Sequence, residues 1–291
     1  MVIGALMFAL MGLCIKFAAK GYHALEITAY RGLIGALFVL GVARIQGVSL
    51  RTRLPLMHLR RSSIGTASMI AWFFAITQLP LATAMTLNYM SSIWVATFLI
   101  GGALLLNHPA TDQRQGPLLA TVLTGFGGVA LMLRPTFDNE QLLAGLMGLA
   151  SSLLAALAYL QVTALSRAGE PEARTVFYFS ASASLAGMAG TLYLGASPWD
   201  WQACWWLIPT GVCAALGQLC MTRAYASGST LLVANLQYTG IVFSSLFGLL
   251  IFGDLMPWEG WAGMALIVAS AIAASVLRTR AAPGSPAPEQ D

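Results

Sequence analysis

Charge is what this sequence lacks. Of its 291 residues only 9% are Asp, Glu, Lys or Arg, against about 25% in an ordinary globular domain. A chain so short of charge cannot cover a water-facing surface, and its 58% of hydrophobic residues exceeds what one soluble core needs. Histidine is scarce too: His23, His58 and His108 fall in or near the breaks between apolar runs. The four cysteines, Cys14, Cys204, Cys213 and Cys220, lie inside apolar runs without metal-ligand spacing. No GxxxxGK[ST] phosphate loop is present, so ATP hydrolysis is not expected of this chain. No cluster of acid, base and nucleophile stands out, and neither a catalytic site, a cofactor nor a metal is expected.

What is present is a series of long, continuous apolar runs, with a mean hydropathy over the chain of +0.75. A membrane-crossing helix needs about 20 mainly apolar residues, and a transmembrane barrel would instead show ~10-residue alternating segments. Reading the runs between charged, Pro and Gly breaks predicts helices near 2–19, 25–43, 61–78, 82–105, 116–134, 142–165, 173–194, 203–225, 229–252 and 260–277. The fold class expected is therefore an all-α integral membrane protein of ten transmembrane helices, with the bilayer as one partner.

The net charge of +4 would suggest nucleic acid in a soluble protein, but here the bases sort by loop. With the N-terminus inside, the cytoplasmic side holds Arg44, Arg51, Arg53, Arg60, Arg61, Arg114, Arg167, Arg174, Arg223, Arg278 and Arg280; the outer side holds only Lys20 and Arg134. This is a positive-inside distribution. It predicts both termini in the cytoplasm and no nucleic-acid partner. The first run lacks a positive n-region and a small-residue cleavage site, so it reads as the first span rather than a signal peptide, and whether Met1 is the native start is left open.

Two runs are polar in the middle. Leu81 to Asn107 carries Asn88, Tyr89, Ser91 and Ser92, and Ser229 to Asp254, roughly 148 residues later, carries Asn235, Gln237 and Tyr238 in the same order of small start, polar centre and apolar finish. Glu172 likewise follows Glu26 at 146 residues. The chain thus reads as two five-helix repeats, 1–138 and 139–279, with a disordered cytoplasmic tail at 280–291. Five spans per half force the halves to enter the membrane from opposite sides, the inverted-repeat design of secondary transporters.

Charges inside the runs carry the most information. Lys16 and Lys20 close the first run and are expected to snorkel to the outer interface. Arg31 lies within the second run, where a guanidinium costs about 2.5–3.5 kcal/mol at mid-membrane on insertion scales. It must face the bundle interior, either paired with Glu26 or backbone carbonyls, or offered to an anionic group on a solute. Trp72, in the third run, is a further residue able to face a cavity.

The sequence also resembles a known family, the EamA-type carriers of the drug/metabolite transporter superfamily. The residues that carry the likeness are ITAYRGLIGA in the second run, LPLATAMTLNY leading into the fourth, GFGGVALMLRP closing the first half, and MTRAYASGSTLLVANLQYTG and LFGLLIFGD in the second half. In the family the fourth and ninth helices usually end in Gly-Glu; here Gly253-Asp254 approximates that pair while Leu106-Asn107 replaces it. The proline frequent after the fourth helix's polar centre is absent, with Ser91, Ser92 and Ile93 in its place. The resemblance implies a cavity lined by helices one, three, four, six, eight and nine, with five and ten as outer scaffold.

Polar residues at helical spacing supply the cavity candidates: Asn88, Tyr89 and Ser92 in helix four, Tyr159 and Gln161 in six, Gln218, Thr222 and Tyr225 in eight, and Asn235, Gln237 and Tyr238 in nine. In helix nine Asn235, Tyr238 and Ser245 fall on one stripe. Amides and hydroxyls replace water around a small polar solute and Tyr rings stack on it; the alternative for each is an interhelical hydrogen bond. The function expected is a secondary carrier of the inner membrane exporting small organic metabolites such as amino acids by alternating access. A vitamin or nucleotide-like importer, a lipid-linked sugar flippase and, in a different class, an intramembrane enzyme are the alternatives; a homodimer is compatible with each.

Overall fold

A computed structural model describes residues 1–79, 81–95, 97–98, 115–133, 142–252 and 258–281. Among them the chain is helix and turn throughout, without strand. The helices are α1 Val2–Ala18, α2 Ala24–Ile45, α3 Pro55–Gln78, α4 Leu81–Tyr89, α5 Gln115–Leu133, α6 Leu142–Arg167, α7 Glu172–Leu194, the short α8 Trp201–Cys204, α9 Leu207–Ser227, α10 Thr230–Leu236, α11 Thr239–Phe247 and α12 Trp258–Ala281. A π-helical turn, Gly248–Phe252, continues α11. Ala24–Ile45, Leu142–Arg167, Trp201–Ser227 and Leu232–Ile251 are each long and apolar enough to cross a membrane. Their outward faces are apolar, with Leu33, Leu37, Leu146 and Leu250 exposed, as a lipid-facing surface requires. The helix ends expected to carry Asn107 and Asp254 lie outside the described residues.

The centre of the bundle is held by backbone proximity. On α2, a side chain at Gly32 would run into the backbone of Ser180 and Ser184 on α7; on α7, one at Gly187 would run into Leu25 and Ala29 on α2. Small residues thus let the two backbones touch reciprocally, the packing that works where lipid is as apolar as leucine. Around this pair Ile15, Ile27, Phe73, Ile76, Met85, Phe179 and Tyr238 form one buried cluster joining α1, α2, α3, α4, α7 and the α10–α11 junction.

Each end of the α2–α7 pair is tied by a carboxylate. At one end Glu26 accepts from the backbone N–H of Ser197 at 2.7 Å, from Ser197 Oγ at 2.6 Å and from His23 N at 3.0 Å. Together with the His23 side chain this makes a capping box at the start of α2. At the other end Glu170 lies 2.9 Å from His58 Nε2 and accepts from Arg174 Nη1 at 2.9 Å and Thr52 Oγ1 at 2.9 Å, while Arg174 also donates to Ser49 O. Burial pushes the Glu170 carboxyl up, but the hydrogen bonds from His58, Arg174 and Thr52 outweigh it and hold the group below the usual carboxylate range. At this same end Gly47 and Gly169, with φ of 66° and 81°, close α2 and α6 in left-handed turns that suit glycine.

Four expectations change on inspection of these helices. The third helix starts at Pro55, six residues earlier than expected, because proline is pre-organised for the first helical turn. Arg61 and His58 are therefore helical and buried rather than loop residues. Lys16 does not snorkel away: its Nζ donates to Leu79 O at 2.7 Å and Ile76 O at 3.2 Å, capping the last carbonyls of α3. Glu26, committed to Ser197 and His23, is not the partner of Arg31.

Candidate functional site

The two polar-centred segments are both broken where their polar residues cluster. Helix α4 ends at Tyr89, turns at Met90, and helix resumes at 91. In the second segment α10 ends at Leu236, the chain turns at Gln237 and Tyr238, and α11 begins at Thr239. No proline sits at either break. In the second, Tyr238 N donates to Asn235 O at 3.0 Å in a tightened turn, and the Ala234 carbonyl instead accepts from Ser92 Oγ of the other segment at 2.6 Å. A hydroxyl thus satisfies the carbonyl that the break frees, the usual means of tolerating interrupted helices within a membrane. Because the break intervenes, Asn235, Tyr238 and Ser245 do not form one continuous helical stripe.

Between the two breaks lies a central cavity of about 60 Å³, enough for a few waters and well below the roughly 300–1,000 Å³ of small-molecule sites. Seven of the residues expected from sequence line it: Arg31, Trp72, Asn88, Tyr89, Tyr159, Gln218 and Gln237. Asn88 and Gln237 arrive from corresponding positions, one residue before Tyr89 and Tyr238. Asn88 Nδ2 donates to Ser151 Oγ at 3.3 Å, and Gln237 Nε2 donates to Tyr225 Oη at 2.6 Å. The ring of Tyr225 stacks on Tyr159 with centroids 5.4 Å apart.

The other six expected residues stand behind or beside this wall. Tyr225 supports Tyr159 and Gln237, and Ser92 caps Ala234. Thr222 and Asn235 are buried with side-chain polar atoms lacking a partner, and one Gln161 oxygen is in the same condition. Tyr238 is fully buried, its ring seated on Gly125 of α5, and its hydroxyl also lacks a partner. Helices two and seven also reach the cavity, through Arg31 and Phe179, beyond the six helices the resemblance implied.

Among the lining residues that sequence reasoning missed are Arg61 and Phe179. Arg61 is 2% exposed, as is Arg31, and the two guanidinium carbons lie 3.9 Å and 5.1 Å from the centroid of the same Phe179 ring. Arg61 Nη2 makes a long 3.5 Å contact to Gln218 Oε1. Nε and Nη1 of both arginines have no hydrogen-bond partner, and among the described residues neither pairs with a carboxylate. Room for Arg61 comes from Gly65, one turn on, over whose bare Cα its guanidinium folds. That Gly four residues after an Arg was the available signal.

Comparison with known proteins fits this arrangement. Residues 1–134 match the EamA-like transporter family. The pseudopaline exporter CntI of Pseudomonas aeruginosa is 31% identical over 277 residues, which cover 94% of this chain and 94% of that one. This chain belongs to the EamA-like transporter family. Other proteins are similar over nearly the whole length: an uncharacterised transporter of Helicobacter pylori at 26% identity, covering 92% of this chain and 90% of its own, and a riboflavin transporter of Vibrio cholerae at 27%, covering 93% and 89%. A crystal structure of another protein superposes with a TM-score of 0.77 at 19% identity over 97% of this chain and 98% of its own, a likeness of fold. Membership in the family makes the chain a membrane protein and points to a transporter rather than an enzyme.

Proposed function

We propose that this protein is a secondary carrier of a bacterial-type inner membrane that exports small organic metabolites, amino acids or related solutes among them, by alternating access. The observation that carries the reading is the pair of helix breaks, at Met90 and at Gln237–Tyr238, facing one cavity and contributing Asn88 and Gln237 to its wall. Interrupted helices meeting near the middle of a bundle are where secondary transporters hold their solutes. On this reading ten crossings form two inverted repeats, 1–138 and 139–279, both termini are cytoplasmic, and the small central cavity belongs to a closed form. This reading assigns the opening of that form to the end where a larger recess of about 630 Å³ is bordered by Tyr22, His23, Phe74 and Gln78. The exporter name of the Pseudomonas relative supports the outward direction.

A vitamin carrier is the second reading. The stacked Tyr159–Tyr225 pair beside the cavity and the Vibrio relative named as a riboflavin transporter favour it. Purified protein in liposomes, loaded with a broad panel of amino acids, organic acids, sugars and vitamins, tests both. Movement of one solute class above protein-free liposomes is expected; no movement of any solute, with or without an ion gradient, rules out the carrier.

A further inference from the structure

We propose that Arg31 and Arg61 form a single anion-binding site, and that the carried solute is a carboxylate gripped by both guanidiniums. The proposal rests on the carrier reading and narrows it to a substrate class.

Two buried guanidiniums share the ring of Phe179, so they are no farther apart than their two distances to its centroid taken together. Arginine keeps its charge in any protein environment and presents its donors in a planar fork suited to carboxylates. Here four of those donors, Nε and Nη1 on each residue, point to no acceptor. Leaving charged donors unsatisfied away from water is among the costlier arrangements a protein can hold, and a pair of like charges adds repulsion. Neither residue is stranded by accident of surface, since both are 2% exposed and both border the cavity.

Among the described residues the neighbouring acids are committed elsewhere. Glu26, the nearest acid along α2, is satisfied by Ser197 and His23 at the far end of the helix. Glu170, the acid nearest α3 in the opposite direction, is taken by His58, Arg174 and Thr52. The ring of Phe179 offers its face to the cations but supplies no acceptor. Trp72 Nε1, a further buried donor on the cavity wall, is unpartnered as well. The wall therefore offers an excess of donors and positive charge, complementary to an occupant rich in acceptors and negative charge. Asn88, Gln218 and Gln237 remain to receive its neutral polar groups.

Thermal stabilisation of the detergent-solubilised full chain tests this, using succinate, glutamate and phenylsuccinate, each against its uncharged amide or methyl ester. The acids are expected to raise the melting temperature and their uncharged forms are not. In R31Q and in R61Q the affinity should fall about 10- to 100-fold, the loss of one charge-assisted contact, while R61K should recover part of it. Equal responses to acid and uncharged forms, no response to any acid, or an undiminished response in folded Gln variants would each overturn the proposal. The wild-type comparison decides the matter even if a variant does not fold. Acid binding in detergent without transport of any panel solute in liposomes would sink the carrier reading and leave the site; transport indifferent to charge would do the reverse.

Discussion

At the scale of residues, the cavity is organised by which side chains are given room. Gly65 is the clearest case: an added Cβ would meet the Arg61 guanidinium and come within 3.1 Å of Phe179 Cε2. The guanidinium is the far end of a flexible side chain and can move, and alanine is the better helix former by about 1 kcal/mol. Gly65→Ala should therefore keep the fold, with a melting temperature close to wild type, yet push Arg61 off the ring and weaken transport on the order of 10-fold. Circular dichroism melting beside liposome flux checks both halves. Arg31 was legible in the sequence because a charge inside an apolar run has nowhere to go but inward. Arg61 was not, because it follows Arg60 in a basic stretch that counts as loop until Pro55 is seen to start the helix. The amides were legible as a set, but which of them reach the cavity depends on breaks that composition does not announce.

At the scale of elements, the break in the second polar-centred helix draws on the first. Ser92, just past one break, caps the Ala234 carbonyl at the other. Ser92→Ala leaves that carbonyl without the hydroxyl, at a cost of about 0.6 kcal/mol for an average interhelical hydrogen bond in a membrane and up to about 1.7. A fall of roughly 1–6 °C in melting temperature is expected, with Ser92→Thr close to wild type. A stabilised Ser92→Ala protein would contradict the capping role. The sequence announced two paired segments with polar centres, and those are where the helices are interrupted. It gave no sign of how an interruption without proline is tolerated, and at the second break the means is tertiary: a hydroxyl supplied from the partner segment to the freed Ala234 carbonyl. Reciprocal contacts at Gly32 and Gly187 were similarly hidden, because small residues are frequent throughout the chain and only the crossing point selects these two.

At the scale of the whole molecule, α2 and α7 are fastened to each other's flanks at both ends, and the Glu170 fastening is sensitive to acid. The Glu170 carboxyl is held below its ordinary range, so its contribution is complete above the ordinary carboxylate value of about 4.3 and fades as pH falls from there through the depressed value. At pH 7 Glu170→Gln should lower stability by about 1.5–3 kcal/mol, the worth of hydrogen bonds to a charged group, and the gap from wild type should close in strongly acidic solution. Melting curves of the two proteins from pH 7 down to pH 3 check this; a gap that widened toward acid would reverse the assignment.

The distribution of the eight tryptophans has an optical consequence. Trp199, Trp201, Trp205, Trp206, Trp258 and Trp261 are exposed, and exposed indoles anchor at the level of lipid headgroups. Trp72 alone among the eight borders the central cavity. In vesicles containing a headgroup-level quencher, the emission of the exposed set should be suppressed and that of Trp72 retained. Occupation of the cavity should then register in the residual fluorescence and vanish in Trp72→Phe, so that the protein carries its own reporter of loading.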